Sequence, residues 1–252
     1  AEDLGLTLSA VFGILSLGLF FGGLVAPVAG TLVDRHGGRW VMTVGSVVAG
    51  LSLMSFAWVE GRYGLFAVIL VAEAAAMFVL YNVAFASVTR LDSPVKPARA
   101  ISVITLFGGI ASTIFWPLTL ALDTAFGWQT TWLILGAMVL AVCVPLHLWA
   151  LGGPQKDPEA AGAKTAQADW PQLHGAARRQ GMLWMIVSFV FSGYLMGAVM
   201  TLWVTNVQDL GHSAALAAFA GAVIGPFKTV GRFFEMLVGR NLHPLATYLL
   251  SM

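Results

Sequence analysis

Residues 30–40, GTLVDRHGGRW, crowd an aspartate, two arginines and a histidine between two stretches that carry no charge. Upstream, no Asp, Glu, Lys or Arg occurs from Leu4 to Val33, and downstream none occurs from Trp40 to Val59. The same pattern returns from Ala100 to Leu122 and from Gln180 to Gln208. A helix needs about 20 apolar residues to cross the hydrocarbon core, and each run is long enough. Lipid supplies no water to backbone groups, so spanning segments must be helices or a closed barrel. Barrel strands alternate polar and apolar residues, and these runs do not. Composition agrees: 58% of the 252 residues are hydrophobic and 10% are charged, where a soluble domain carries about 25%. The chain reads as an all-α polytopic protein of the cell membrane, with the lipid bilayer as its solvent.

The hydropathy predicts spans over 8–29, 40–59, 64–88, 100–122, 128–150, 182–207 and 214–239, with another beginning near 244. That last segment is too short to cross, so more chain is expected beyond Met252. Lysine and arginine set the orientation. With the N-terminus outside, the inner loops hold Arg35 and Arg39, then Arg90, Lys96 and Arg99, then Lys156, Lys164, Arg178 and Arg179, and finally Arg240. The outer loops hold only Arg62. Positive residues stay on the cytoplasmic side, so GTLVDRHGGRW is expected to be a tight cytoplasmic turn. The acidic N-terminal AEDLG does not read as a cleavable signal peptide. The single cysteine, Cys143, reads as a small core hydrophobe.

Residues 153–180 are the long polar segment, a mixture of Pro, Gly, Ala and both charge signs typical of a flexible linker. Its end, DWPQLHGAARR, reads either as a short basic surface helix or as a plain tether. The chain therefore divides into a helical half over 1–152, a linker over 153–180 and the start of a second half over 181–252. An internal repeat supports two halves. Gly30, Asp34, Gly38 and Arg39 recur as Gly231, Glu235, Gly239 and Arg240 at identical offsets, each set ending a span that follows a proline, Pro27 or Pro226. Repeated halves of this kind are characteristic of secondary transporters.

Gly30, Asp34, Arg35, Gly37 and Arg39 match Gly-x-x-x-Asp-Arg-x-Gly-x-Arg, and the stretch resembles the cytoplasmic motif of the major facilitator superfamily. The resemblance implies a partial major facilitator fold, from its second helix to the start of its ninth, with the linker where that family has its central loop. More distantly, GPFKTVGRFFE and FGGIASTIFWPL resemble bacterial relatives of the monocarboxylate and oxalate/formate carriers. Physically, Gly30 would let two helices approach, and Gly37 and Gly38 would permit a sharp reversal. Asp34 can receive the positive end of a neighbouring helix. By resemblance it bridges the two halves at a cytoplasmic gate, with Arg35 and Arg39 in the same charge network; the other reading is a plain positive-inside turn.

Three charges fall inside spans, where each costs roughly 2.5–3.5 kcal/mol near a helix centre. Glu73 lies about 14 Å into its span at 1.5 Å per residue, with Tyr81 expected two turns on along the same face and Asn82 beside it. That face either lines a cavity, Glu73 being a proton or cation site, or holds a neutral Glu between helices. Lys228 and Arg232 are one turn apart on one face. An Arg fork suits a carboxylate in two-point contact. By resemblance Arg232 matches the substrate-binding Arg of the monocarboxylate carriers, whereas Lys228 stands where they have an Asp, which argues against proton coupling through that pair. Arg232 could instead reach the headgroups or pair with Glu235. Tyr194 and Trp203 could line a pocket, and His147 and Asn206 read as interfacial anchors.

No HExxH, GxSxG, GxxxxGK[ST], GxGxxG or paired-Cys motif occurs, so neither enzyme chemistry, a metal site nor a bound cofactor is expected. The span 100–122 also lacks the Gly-Pro motif of the family's drug antiporters. The expected function is secondary active transport of a small solute by alternating access, the substrate being an organic anion such as a monocarboxylate, with a proton as candidate co-substrate. A carrier of a neutral or cationic solute and a non-transporting sensor of the same fold are the alternatives. A monomer without nucleic-acid partners is expected. The orientation is checked by cysteine labelling in intact cells: externally added maleimide should modify positions 61 and 124 and leave 36 and 93 unmodified.

Overall fold

The computed structural model describes residues 2–154 and 174–238, apart from the side chains of Glu2, Arg232 and residues 234–238. Its helices are α1 (Leu8–His36), α2 (Gly38–Ser55), α3 (Gly61–Ala76), α4 (Tyr81–Arg90), α5 (Pro97–Met138), α6 (Val144–Ala150), α7 (Gly175–Thr201), α8 (Trp203–Asp209) and α9 (Ala214–Val238). A π-helical turn, Val139–Cys143, joins α5 to α6. No strand occurs among the described residues. Among the described residues, six helical stretches are long and apolar enough to cross a membrane. One of them, 97–150, is two spans, because Gly127 at φ 78° and ψ 165° reverses the chain inside α5. The fold is the expected all-α, multi-span one.

Three boundaries differ from the sequence reading. Helix α1 does not end at 29; it continues to His36, so Gly30, Asp34 and Arg35 are helical. The expected turn shrinks to one residue, Gly37, whose φ of 76° favours glycine and whose N–H donates to the Val33 carbonyl at 2.9 Å. Gly38 is the first residue of α2, and its role is contact, since a Cβ there would fall on Ser87 of α4. The span 64–88 is broken: α3 stops at Ala76 and α4 starts at Tyr81. Tyr81 is therefore not two helical turns beyond Glu73. No proline or glycine marks this break in AAAMFVLYN.

Contacts divide the chain into one unit of residues 1–104 and 121–161 and another of 105–120 and 162–252. In the first, small residues set the helix spacing, as expected where lipid removes the hydrophobic drive for helix association. Gly18 and Gly22 of α1 lie on Ile69 and Glu73 of α3, Gly45 of α2 lies on Phe78, and Gly50 of α2 meets Gly136 of α5. Gly30 has no neighbour within Cβ reach among the described residues, so the close approach expected there falls at these other glycines. Ala29, Val33, Met42, Val83 and Leu151 form a core at the arginine-rich end. Phe56, Val59, Leu65 and Ile69 form one at the opposite end, where Phe56 stacks on Trp132 at 4.7 Å.

In the second unit the 105–120 part of α5 packs on α9. Gly221 lies under the Trp116 ring, and Gly225 faces Ser112 and Thr113. Helix α8 is tied to α9 by the Trp203 indole, which donates to the Ala217 carbonyl at 3.1 Å. Trp203 is thus a helix brace. Helix α7 has no buried residue.

A Cβ at Gly136 would lie 2.6 Å from the Gly50 carbonyl oxygen, whereas one at Gly13 of α1 would meet nothing within 4 Å. Gly136→Val should therefore cost about 1–3 kcal/mol by overpacking. Gly13→Ala should be neutral or gain up to about 1 kcal/mol in helix propensity. Thermal unfolding midpoints of the two variants in one detergent check the contrast.

Candidate functional site

The arginine-rich end is built by two helix termini. Asp34 sits in the last turn of α1, and Arg90 is the last residue of α4. Arg90 Nη2 donates to Asp34 Oδ1 at 2.7 Å, and Nη1 donates to the Asp34 carbonyl at 2.9 Å. The last carbonyls of a helix lack partners within it, so the guanidinium caps α1 and meets the negative end of its dipole while pairing with the carboxylate. The Asp34 side chain is 61% exposed. At that exposure the ion pair itself contributes under about 1 kcal/mol, and its value lies in fixing the geometry of the two ends. Among the described residues the partner of Asp34 is this arginine, not a helix N-terminus. Arg90 was read only as a topology marker; its place at a span end was the one available signal.

Arg35 and Arg39 make no ion pair among the described residues. Arg39 lies over the Trp40 ring at 5.6 Å and beside residue 152, and its Nε is buried without a hydrogen-bond partner. In the repeat, Gly231 meets nothing within Cβ reach among the described residues. Gly239 and Arg240, and the side chain of Glu235, lie outside the described residues, as does linker segment 155–173.

Inside the first unit Glu73 is half-buried against Gly18 and Gly22, with no hydrogen-bond or ion-pair partner among the described residues. Tyr81 is 45% exposed and stacks on Phe85 at 5.4 Å. His147, read as an interfacial anchor, is also tied to a neighbouring helix. Its Nδ1 is 2.9 Å from the Ser46 hydroxyl, and Ser46 is fully buried, so the pair joins α2 to α6 within the helix packing.

Inside the second unit Lys228 is exposed on α9 and has no acidic partner among the described residues; the backbone of Arg232 follows one turn on. Tyr194 is 72% exposed on α7. The sequence did not show what holds α9 in shape. Pro226 has no N–H, so the Ala222 carbonyl four residues earlier loses its helical donor. The Thr113 hydroxyl of α5 donates to that carbonyl at 3.0 Å. Pro226 identifies the orphaned acceptor; only the fold identifies its donor. Among the described residues no cluster of His, Cys, Asp or Glu could hold a metal ion.

Apolar spans joined at charged ends and packed through small-residue seams define a multi-pass helical membrane protein. The family model of the Major Facilitator Superfamily matches residues 1–250, and the chain belongs to that superfamily. Its members are membrane transporters rather than enzymes. No curated protein matches the chain.

If the Arg90 cap positions the end of α1 for a gate, Asp34→Asn should slow solute flux with near-normal expression and folding. Arg90→Gln should reproduce the defect, and the double variant should add little to it, since coupled residues are non-additive. Initial rates in proteoliposomes, compared as a double-mutant cycle, are the measurement.

Proposed function

We propose that the protein is a secondary active carrier of a small organic anion, such as a monocarboxylate, working by alternating access in the cell membrane. One observation carries this reading: Lys228, exposed and without an acidic partner among the described residues, stands one turn before Arg232 on an apolar helix. Two cations on one helical face repel each other, and a bound anion relieves that cost. Lysine supplies a point charge and arginine a fork that fits a carboxylate. Tyr194, in the same unit, is the candidate polar contact for the rest of the solute.

In this scheme the arginine-rich end of α1 and α2 acts as the gate: Gly37 gives the hinge, Asp34 with Arg90 gives a contact that can be made or broken, and Arg35 and Arg39 supply further charge. Gly30, Gly38, Gly231, Glu235, Gly239 and Arg240 complete the set repeated in the sequence. A contact worth on the order of 0.3–1 kcal/mol is enough to bias two nearly balanced states. Glu73 favours a second element. An acid within a span, with no partner among the described residues, suits a co-transported proton or a cation. A neutral or cationic solute is the corresponding second reading.

Uptake of labelled mono- and dicarboxylates by proteoliposomes tests the proposal. Lys228→Ala and Arg232→Ala should each raise the half-saturation concentration roughly tenfold or more, as for loss of a charged hydrogen bond. Arg232→Lys should not restore it, because the fork is lost. Normal carriage of every carboxylate by both alanine variants would overturn the anion reading.

A further inference from the structure

A groove of about 960 Å³ lies between α1, α2 and α3. Its walls include Phe21 and His36 of α1, Trp40, Val44 and Val48 of α2, and Val71 of α3. Trp40 and Val44 are each 58% exposed and Val71 is 48% exposed, so the groove is open along its length. From Trp40 to Val48 it follows α2 for about 12 Å at 1.5 Å per residue. That is close to the depth of one leaflet, about half of a 30 Å hydrocarbon core.

The chemistry of the walls excludes two occupants. His36 is the one ionisable side chain among the lining residues, so a polar solute would find few of the convergent contacts that a binding site provides. Water would find almost no hydrogen-bond partners there. An acyl chain fits both the walls and the depth. The arginine-rich end adds a second requirement. His36 and Trp40 line that end, and the Arg39 guanidinium lies 5.6 Å over the Trp40 ring. Asp34, the carboxylate of this stretch, is taken by Arg90, leaving Arg35 and Arg39 without acidic partners among the described residues. Indoles settle at the headgroup level, and basic clusters on the cytoplasmic side attract anionic lipid.

We propose that this groove binds an anionic phospholipid, with one acyl chain between α1, α2 and α3 and its phosphate at the end formed by His36, Arg39 and Trp40. The site is separate from the proposed solute contacts and does not depend on them. The lipid would be a fixed component of the first unit, its headgroup held beside the stretch that joins α1 to α2.

The test uses the full-length protein in liposomes containing a trace of phosphatidylglycerol or phosphatidylcholine, each with the same photoactivatable diazirine acyl chain. Adducts are mapped by peptide mass spectrometry. Phosphatidylglycerol adducts should concentrate between Val44 and Val48 and around Val71, exceeding those of phosphatidylcholine by roughly fivefold for a basic contact at the membrane surface. Arg39→Gln should bring the two lipids close together, and Val48→Trp, which fills the groove, should remove both sets of adducts. Equal yields from the two lipids with the unmodified protein, adducts as frequent at exposed Phe115 as at Val48, or adducts that survive Val48→Trp would each overturn the proposal.

Discussion

Hydrocarbon offers a backbone carbonyl no donor, and most of this structure follows from that constraint. It makes the apolar runs helical, since only a helix satisfies its own groups along a single span. It keeps the chain reversals at span ends, where Gly37 and Gly127 each turn the chain in one residue. Where a helix end must stop close to other helices, a side chain supplies what the backbone lacks. Arg90 does so for the carbonyl of Asp34, and Thr113 does so for the carbonyl freed by Pro226. Once the hydrogen bonds are internal, the helices have little reason to associate except close contact, and the glycines of α1, α2, α5 and α9 provide it.

The same constraint explains what could be read in the sequence. The existence and order of the spans were legible, because charge-free runs of twenty residues have few other physical meanings. The motif at 30–40 was legible as well, through its pattern of glycine and charge. Span ends were not. Hydropathy falls where charge begins, yet α1 carries Asp34 and Arg35 on additional turns because helices extend past the hydrocarbon into the headgroups. The break between Ala76 and Tyr81 was invisible, since no residue in that stretch forbids a helix and tertiary packing decides.

Partnerships between distant residues were the least legible. Asp34 with Arg90, Ser46 with His147 and Trp203 with Ala217 join positions that the sequence lists separately. Arg90 looked like a topology marker, His147 like an interfacial residue and Trp203 like a pocket residue. The fold turns His147 and Trp203 into braces, while Lys228 has no acidic partner among the described residues. Partner selection depends on helix rotation, which hydrophobic periodicity leaves open when every face of a helix is apolar.

The bond from Thr113 to the Ala222 carbonyl restricts how α5 and α9 can move. Donor and acceptor sit on different helices, so a slide of one residue, about 1.5 Å, would pull the hydroxyl from its acceptor. The carbonyl would then stand unsatisfied in a low-dielectric seam at a cost of several kcal/mol. Gly221 and Gly225 restrict turning as well, because rotation of α9 would bring Cβ-bearing residues against the Trp116 ring and against Ser112 and Thr113, where no Cβ fits. The seam between these helices is therefore locked against sliding and turning alike: any change of shape that reaches it must carry residues 105–120 and α9 along as one body.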